Sequence, residues 1–154
     1  MGMRKRVLAV ASGGGHWVQL MRLAPALDVT EEVVYASSHP GCASDVPDNE
    51  FYCVGDASRW NPGKVLVVGI KVMWVVLRVR PGVVITTGAA PGLIAIVIGR
   101  LSGARTLWLD SIANVDEVSL SGRAAIRCAH LALTQWEHLA GKDDSGCEWR
   151  GAVL

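Results

Sequence analysis

Short apolar runs alternate with segments of helical spacing along this chain, and that alternation restricts the possible folds more than any other feature. The predicted strands lack polar alternation and lie at Val7–Ala11, Glu32–Ser37, Phe51–Val54, Val83–Thr86, Thr106–Leu109 and His130–Thr134. Such strands are buried on both faces, as in a parallel sheet covered by helices. The predicted helices are a first one from Trp17 to Leu27, which Pro25 kinks or ends, then Lys64–Val79, Gly92–Leu101 and Ala124–Ala129. This order predicts an α/β fold with an open, doubly wound parallel sheet.

The length and the composition of the chain limit its size class and its surroundings. The 154 residues suit a single domain, 1–154, with a real core. The 15 basic and 14 acidic side chains nearly balance, so we expect no nucleic-acid partner. A hydrophobic fraction of 51% is high, and it predicts that some apolar surface meets a partner or a bilayer. No two cysteines are closely spaced among Cys42, Cys53, Cys128 and Cys147. Because the basic start Met1–Arg6 also lacks the apolar region of a secretion signal, reduced thiols in the cytoplasm are expected.

The first predicted strand is followed at once by Ser12-Gly13-Gly14-Gly15-His16, and helical spacing resumes at Trp17. Three glycines allow a tight turn and leave backbone N–H groups uncovered. At a helix N-terminus such amides, together with the helix dipole, form a site for an anion such as phosphate. His16 adds the side chain best suited to proton transfer near neutral pH. The segment therefore indicates phosphate chemistry, with a plain tight turn as the alternative.

Several well-known phosphate, metal and hydrolase motifs are absent from the sequence. The glycine loop is not the dinucleotide fingerprint G-x-G-x-x-G, because Val18 stands at the third glycine position and no acidic residue ends the second strand. It also lacks the Gly-Lys-Ser/Thr of a P-loop. No Cys and His spacing matches a zinc site, and no G-x-S-x-G elbow supports a serine hydrolase. We therefore expect no cofactor and no metal, and we interpret His39, His130 and His138 as loop or packing residues.

Two further loops are expected at the edge of the sheet where the functional crevice of such folds lies, beyond the carboxyl ends of the strands. The loop Thr87–Gly92 follows the fourth strand, and its Pro91 can start a helix whose amides face the crevice. The loop Asp110–Asn114 follows the fifth strand and begins with a carboxylate. Each loop has a purely structural alternative, because residues 86–88 can form a helix cap and Asp110 can cap the turn that begins at Ser111.

The predicted helix Lys64–Val79 is almost wholly apolar apart from Lys64, Lys71 and Arg78, which recur every seven residues and so share one face. Trp74 stands near its centre, and the stretch is too short and too charged to span a bilayer. One interpretation is a buried helix whose basic stripe meets solvent. The other is a helix on an anionic membrane surface, with its apolar side inserted and its basic side on the head groups. The sequence leaves both open.

Several separated motifs resemble those of one family of glycosyltransferase subunits. The longest is WLDSIANVDEVSLSGR at Trp108–Arg123, followed by Leu133-Thr134-Gln135-Trp136. Further motifs similar to the bacterial members are the glycine loop with Trp17-Val18-Gln19-Leu20, Asp56-Ala57-Ser58-Arg59-Trp60-Asn61, Thr87–Gly92 and Arg150–Leu154. The chain therefore resembles the membrane-recruiting, acceptor-side subunit of the split N-acetylglucosaminyltransferase that adds the second sugar to dolichyl-diphosphate. Bacterial relatives of that subunit serve exopolysaccharide and capsule assembly.

This resemblance implies a Rossmann-like domain that is the N-terminal half of a GT-B glycosyltransferase. The other half, with most contacts to the UDP-sugar, would be a separate chain, and the complex would be peripheral at the cytoplasmic face of the membrane. The implied reaction is a metal-independent, inverting transfer from a UDP-sugar to a hydroxyl of a polyprenyl-diphosphate-linked saccharide. The sequence departs from the eukaryotic members in two respects: its first residues do not predict the transmembrane anchor that those members carry, and Asp110 stands where they tend to have glutamate.

The expected site residues follow from the resemblance and from the loop chemistry. His16 is the first candidate for the base that takes the proton of the acceptor hydroxyl, because the helix dipole favours its neutral form. Asp110 is the alternative base, or it orients the acceptor sugar. The residues expected to bind substrate, with glycine amides on a diphosphate, are Ser12, Gly13, Gly14, Gly15, Thr87, Gly88, Ser111 and Asn114. The residues expected to contact the membrane are Lys64, Lys71, Trp74 and Arg78.

Two other functions remain compatible with the sequence. The chain can be a scaffold that recruits the catalytic subunit to the membrane without contributing a catalytic group. Substitutions at Lys71, Trp74 or Arg78 would then abolish membrane recovery, and loop substitutions would leave turnover intact. The chain can instead be a stand-alone enzyme acting on a phosphate ligand, such as a hydrolase, and the isolated chain would then bind its ligand tightly.

Overall fold

The strands of this protein form one parallel sheet, as the apolar runs predict. The computed structural model describes residues 6–28, 32–57, 60–141 and 146–153. Its strands are β1 Arg6–Ala11, β2 Glu32–Ser37, β3 Glu50–Cys53, β4 Val83–Gly88, β5 Arg105–Leu109, β6 Leu131–Thr134 and β7 Glu148–Trp149. They lie in the order β3-β2-β1-β4-β5-β6-β7, and each neighbouring pair is parallel. The order reverses between β1 and β4, so the loops after these two strands flank the point where ligands bind in such sheets.

Helices cover both faces of the sheet, and they are α1 Gly15–Asp28, α2 Pro62–Val79, α3 Ala89–Leu101 and α4 Leu120–Cys128. The side chains of β1 alternate between two apolar clusters, with Leu8 and Val10 in one and Val7 and Ala9 in the other. The first cluster includes residues of α2, α3 and α4, among them Val72, Ile96 and Ala125. The second includes Trp17 and Leu20 of α1. Burial on both faces explains why the sequence of β1 is apolar without interruption.

The helix α3 lies in close contact with β4 because glycines replace larger side chains where the two meet. A Cβ atom at Gly92 would stand 2.0 Å from Thr86 Oγ1, and one at Gly99 would stand 2.6 Å from Val84 Cγ2. Both distances are far shorter than van der Waals contact. The two glycines, seven residues apart, therefore set the spacing between the helix and the strand that precedes it.

The helix boundaries differ from the predicted ones where tertiary contacts or caps decide them. Of the two alternatives for Pro25, a helix end is wrong, because α1 continues through it to Asp28, and Ala24 and Leu27 pack against the cluster beneath the helix. The helix α3 begins at Ala89 rather than Gly92. The helix α4 begins at Leu120 rather than Ala124, because the Ser119 hydroxyl accepts a hydrogen bond from Gly122 N–H and caps the first turn.

Two features of the described chain were not predicted. The segment between β2 and β3 contains a 3₁₀ helix, Pro40–Asp45, in which Cys42 is buried. The edge strand β7 pairs Glu148 with Leu133 of β6. Because β7 has only two residues, it is too short to show a period in the sequence.

Candidate functional site

The glycine loop leads from the end of β1 directly into the first turn of α1. Gly14 has φ +73°, a left-handed conformation that favours glycine. The Val18 N–H donates to the Gly14 carbonyl at 3.1 Å, so the amides of Gly15 and His16 precede the intrahelical ladder, as at any helix start. The Gly13 N–H differs, because it donates to Ser38 Oγ at 2.9 Å and is engaged inside the protein. Of the glycine amides expected at a diphosphate, that of Gly13 is therefore already used.

The imidazole of His16 is fixed by the end of β4. Its Nδ1 lies 3.0 Å from the Thr87 carbonyl oxygen, and the Thr87 hydroxyl donates to the His16 carbonyl at 2.6 Å. Because a carbonyl oxygen only accepts, Nδ1 carries the proton and Nε2 of the neutral ring keeps a lone pair. The Thr87 side chain is fully buried. Thr87 thus orients the histidine, and Nε2 is left as the basic atom.

Gly88 provides the space that the His16 ring occupies. Its φ of +133° and ψ of −172° lie in a region open almost only to glycine. A Cβ atom at this position would stand 2.7 Å from His16 Nδ1. The structure therefore brings His16, Thr87 and Gly88 of the predicted set into one contact group at the topological switch point.

Asp110, which follows β5, is 2% exposed and accepts hydrogen bonds at both carboxylate oxygens. Its Oδ1 accepts from Trp108 Nε1 at 3.1 Å and from Ser119 Oγ at 2.6 Å. Its Oδ2 accepts from Asn114 Nδ2 and from Ser119 N–H, both at 3.0 Å. A carboxylate whose oxygens accept four hydrogen bonds is held in place, and its acceptor sites are occupied by protein donors. This geometry favours an orienting role for Asp110 over the role of base. The side-chain amide of Asn114 is one of the groups that hold the carboxylate.

Two buried glutamines that our sequence analysis did not assign to the site join the loop after β5 to α1. The Gln19 amide donates to Ser111 Oγ at 3.2 Å, and the Gln135 amide donates to the Asp110 carbonyl oxygen at 2.9 Å. Both lie inside motifs quoted above, but only the tertiary structure shows that they meet. A usable signal in the sequence was Gln19 itself, a polar residue on the apolar side of α1 between Trp17 and Leu20.

The predicted membrane-contact residues lie apart from this crevice, on α2. The helix buries Val68, Val72, Val75, Val76 and Val79 against the sheet. It also exposes large apolar side chains, which are Leu66, Val67, Ile70, Met73, Trp74 and Leu77. Their spacing places them on the side opposite the core, flanked by the exposed Lys64, Lys71 and Arg78. Neither earlier interpretation describes this fully, because α2 is buried on one side and presents an apolar face on the other.

The segment before α2 is part of the motif Asp56–Asn61. Asn61 caps the helix by accepting a hydrogen bond from Lys64 N–H at 3.1 Å, and Trp60 is 81% exposed. Ser58 and Arg59 of the same motif lie outside the described residues. Among the helices that the structure describes, none is long and apolar enough to cross a membrane. In the same part of the chain, no group of three His, Cys, Asp or Glu residues is arranged to hold a metal ion.

Comparison with solved structures identifies the fold. The chain matches MurG of Acinetobacter baumannii with a TM-score of 0.75 and 16% identity, over 94% of this chain and 45% of that one. It matches a UDP-N-acetylglucosamine 2-epimerase of Rickettsia bellii with a TM-score of 0.72 and 11% identity, over 98% and 46% of the two chains. A glycosyltransferase of Rickettsia africae matches with a TM-score of 0.68 and 12% identity, over 97% and 43%. No family model and no curated protein matches the chain.

These similarities confirm the predicted fold class. The chain has the Rossmann-like α/β fold of the N-terminal half of a GT-B enzyme. It spans less than half the length of each of these structures.

Proposed function

We propose that this chain is the acceptor-side subunit of a two-chain, inverting glycosyltransferase that acts in exopolysaccharide, capsule or lipid-linked oligosaccharide synthesis. The donor is a UDP-sugar, and the acceptor is a hydroxyl of a polyprenyl-diphosphate-linked saccharide. The observation that carries the proposal is the His16–Thr87 bond at the switch point of a GT-B half, because it leaves a basic nitrogen at the crevice. The family motifs quoted above support the acceptor class.

His16 is the general base in this mechanism. The acceptor hydroxyl attacks the anomeric carbon and gives its proton to His16 Nε2, which must lie within about 3 Å of that hydroxyl in the productive complex. The imidazolium that forms keeps its Nδ1–H bond to the Thr87 carbonyl, whose partial negative charge stabilises the added positive charge. The bond breaking at the anomeric carbon releases UDP with the electron pair.

The first turn of α1 stabilises the negative charge on the diphosphate of the departing UDP. The amides of Gly15 and His16 and the positive end of the helix dipole stabilise such charge without a cation. Asp110 acts through the loop it holds, since its donors Asn114 and Ser119 belong to that loop. Asn114 and Ser111 then contact the acceptor saccharide through the groups that the buried network leaves accessible.

The exposed apolar face of α2 is the proposed contact with the cytoplasmic membrane surface. A lipid-linked acceptor must be met where its saccharide leaves the bilayer. An apolar helix face with basic side chains beside it suits insertion at the level of anionic head groups. Lys64, Lys71 and Arg78 supply that charge, and Trp74 suits the interface because its ring is amphipathic. The contact would be peripheral.

A second chain that holds the UDP-sugar is the proposed partner. The matched structures are more than twice as long as the part that this chain covers. In the proposed complex, the donor half closes over the carboxyl edge of the sheet, and the active site exists only in the pair.

The test is sugar transfer by this chain together with its UDP-sugar-binding partner, on a polyprenyl-diphosphate-linked acceptor. We expect His16→Ala to lower kcat/KM by about 10²- to 10⁴-fold, the usual contribution of a general base. Val18→Ala, at an exposed position on the same helix turn, is the matched control and should keep wild-type activity. Full activity of His16→Ala would exclude this role and favour the scaffold function. Loss of activity only in Asp110→Asn would favour Asp110 over His16, either as the base or through the loop that it holds.

A further inference from the structure

Two buried glutamine side chains connect segment 150–153 to the candidate site. Gln135, directly after β6, is 3% exposed, and Gln19, on α1 one turn beyond His16, is 5% exposed. Burying an amide side chain is costly unless its hydrogen bonds are made. In this protein they are made to backbone and side-chain groups of three separate parts of the chain.

The Gln135 amide is bonded through both its nitrogen and its oxygen. Its Nε2 donates to Gln19 Oε1 at 2.7 Å and to the Asp110 carbonyl oxygen at 2.9 Å. Its Oε1 accepts from Val153 N–H at 2.8 Å. The reversed amide would place its NH₂ against a backbone N–H and its oxygen against two other oxygens. The direction of the bonds is therefore fixed by the partners.

Gln19 continues the connection to the loop after β5. Its Nε2 donates to Ser111 Oγ at 3.2 Å, and its Oε1 also accepts from Ile112 N–H at 3.4 Å. Trp136, the neighbour of Gln135, donates its indole N–H to the Ile112 carbonyl at 2.8 Å. Loop 110–114 is thus held from α1, from the residues after β6 and, through Gln135, from Val153.

Segment 150–153 lies over a loosely packed part of the sheet. A cavity of about 270 Å³ is lined by this segment and by apolar side chains of α1 and the sheet, which are Leu23, Leu27, Ile85, Leu107, Leu109 and Leu133. The polar contacts of the segment include the Val153 N–H on Gln135 and the Val153 carbonyl, which accepts from Arg22 Nη1 at 3.3 Å. At the start of the segment, Arg150 pairs with Glu148 of β7. Because a cavity separates part of the segment from the sheet, we expect that the segment can change its position without unfolding the sheet.

We propose that Gln135 and Gln19 are positioning residues that make the geometry of loop 110–114 depend on how segment 150–153 is seated. The same two amides fix this loop relative to the start of α1, which carries His16. A change in the seating of the segment therefore changes the affinity of the site for its acceptor. The kinetic part of this inference rests on the proposed function, and the structural part does not.

The hydrogen bonds from Val153 through Gln135 and Gln19 to loop 110–114 are called the relay below. The test removes single hydrogen bonds of this relay in the full chain and measures hydrogen exchange by NMR at its far end, in and beside loop 110–114. Val153→Pro deletes the donor to Gln135, Val153→Ala keeps it as the matched control, and Gln135→Met breaks the middle. Two groups should exchange about fivefold faster in Val153→Pro and Gln135→Met. They are the indole N–H of Trp136 and the backbone N–H of Asn114, which donates to the Ser111 carbonyl. The Ile96 amide in α3 should not change. Val153→Ala should resemble the wild type.

In the assembled pair, the same two variants should raise the KM for the acceptor about fivefold, with kcat and the KM for the donor unchanged. Unchanged exchange at Trp136 and Asn114 would overturn the relay, and so would equal acceleration at Ile96, which would indicate only a loss of global stability. Accelerated exchange with an unchanged acceptor KM would overturn the link to the site. If the wild-type pair transfers no sugar, the proposed function fails, and the exchange data still decide whether the relay exists.

Discussion

At the scale of the residue, the direction of one hydrogen bond decides what His16 can do. Its Nδ1 faces a carbonyl oxygen, so the proton is placed there and the basic lone pair is on Nε2. Thr87 supplies that carbonyl, and Gly88 leaves room for the ring. The glycine loop alone predicts a phosphate site. The orientation of the proposed base, His16, depends instead on Thr87 and Gly88, more than seventy positions later in the chain.

Gly88→Ala tests this arrangement. We expect a loss of about 1–3 kcal/mol in the free energy of unfolding, because alanine is strained at φ +133°. We also expect the ¹⁵N resonances of the His16 imidazole to shift, because a Cβ would displace the ring. Gly103→Ala is the matched control, since its φ is +87° and its Cβ would meet open space. A stability loss with unchanged His16 resonances in Gly88→Ala would contradict the proposed contact.

Cys147 gives a prediction on pH. Burial raises the pKa of this thiol from 9.0 to about 11, and the negative charges of Asp110 and Glu148 add to the rise. Because the folded pKa lies above the unfolded one, this contribution to stability is full below pH 9 and is lost as pH rises toward 11. Urea denaturation should show a free energy of unfolding that falls over this window, and it should fall less in Cys147→Ala. Cys53→Ala, which removes an exposed thiol, should keep the wild-type slope.

At the scale of the element, the two helix glycines Gly99 and Gly69 predict opposite effects of one substitution. Gly99→Ala should lower the free energy of unfolding by about 1–3 kcal/mol, because its Cβ would overlap Val84 and push α3 away from β4. Gly69→Ala in α2 should raise it by about 0.5–1 kcal/mol, because its Cβ meets nothing and alanine favours the helix. Urea denaturation of both variants checks the pair. A stable Gly99→Ala protein would mean that α3 does not lie this close to β4.

The outer face of α2 predicts binding to membranes. The double variant Ile70→Ser, Leu77→Ser should reduce partition onto vesicles of phosphatidylglycerol and phosphatidylcholine by about tenfold or more, because two exposed apolar side chains no longer insert. Leu120→Ser, which removes an even more exposed leucine from α4, is the control. Sedimentation with the vesicles measures the partition. Equal losses in both proteins, or no binding by the wild type, would remove the proposed role of α2.

At the scale of the whole molecule, the reversal of strand order between β1 and β4 is the feature that creates a site. It brings the loop after β1 and the end of β4 together, while the loop after β5 lies one strand further along the same edge. In the proposed enzyme, the donor is held by the other chain. We therefore expect calorimetry to detect UDP binding by the assembled pair and little or none by this chain alone. Tight UDP binding by the isolated chain would favour the stand-alone enzyme considered at the outset.

The fold was predictable because its signal is local and repeated. Apolar strands that lack alternation must be buried on both faces. This burial is already indicated by five consecutive apolar residues, Val7–Ala11. The candidate site was predictable only in part. His16 and Asp110 stand out by residue type and by position after strands, but the sequence does not show that Asp110 is saturated by Trp108, Asn114 and Ser119.

The sequence by itself determined the class of sheet, the strands whose following loops contain candidate site residues, and the glycine loop with its histidine. These follow from side-chain period and backbone freedom, which act between near neighbours. Only the tertiary structure decided which nitrogen of His16 is basic and that the Asp110 carboxylate is held by hydrogen bonds at both oxygens. It also decided how Gln19 and Gln135 connect loop 110–114 to α1 and to segment 150–153. Hydrogen-bond direction depends on the partner atom, and here the partners come together only when the sheet has folded.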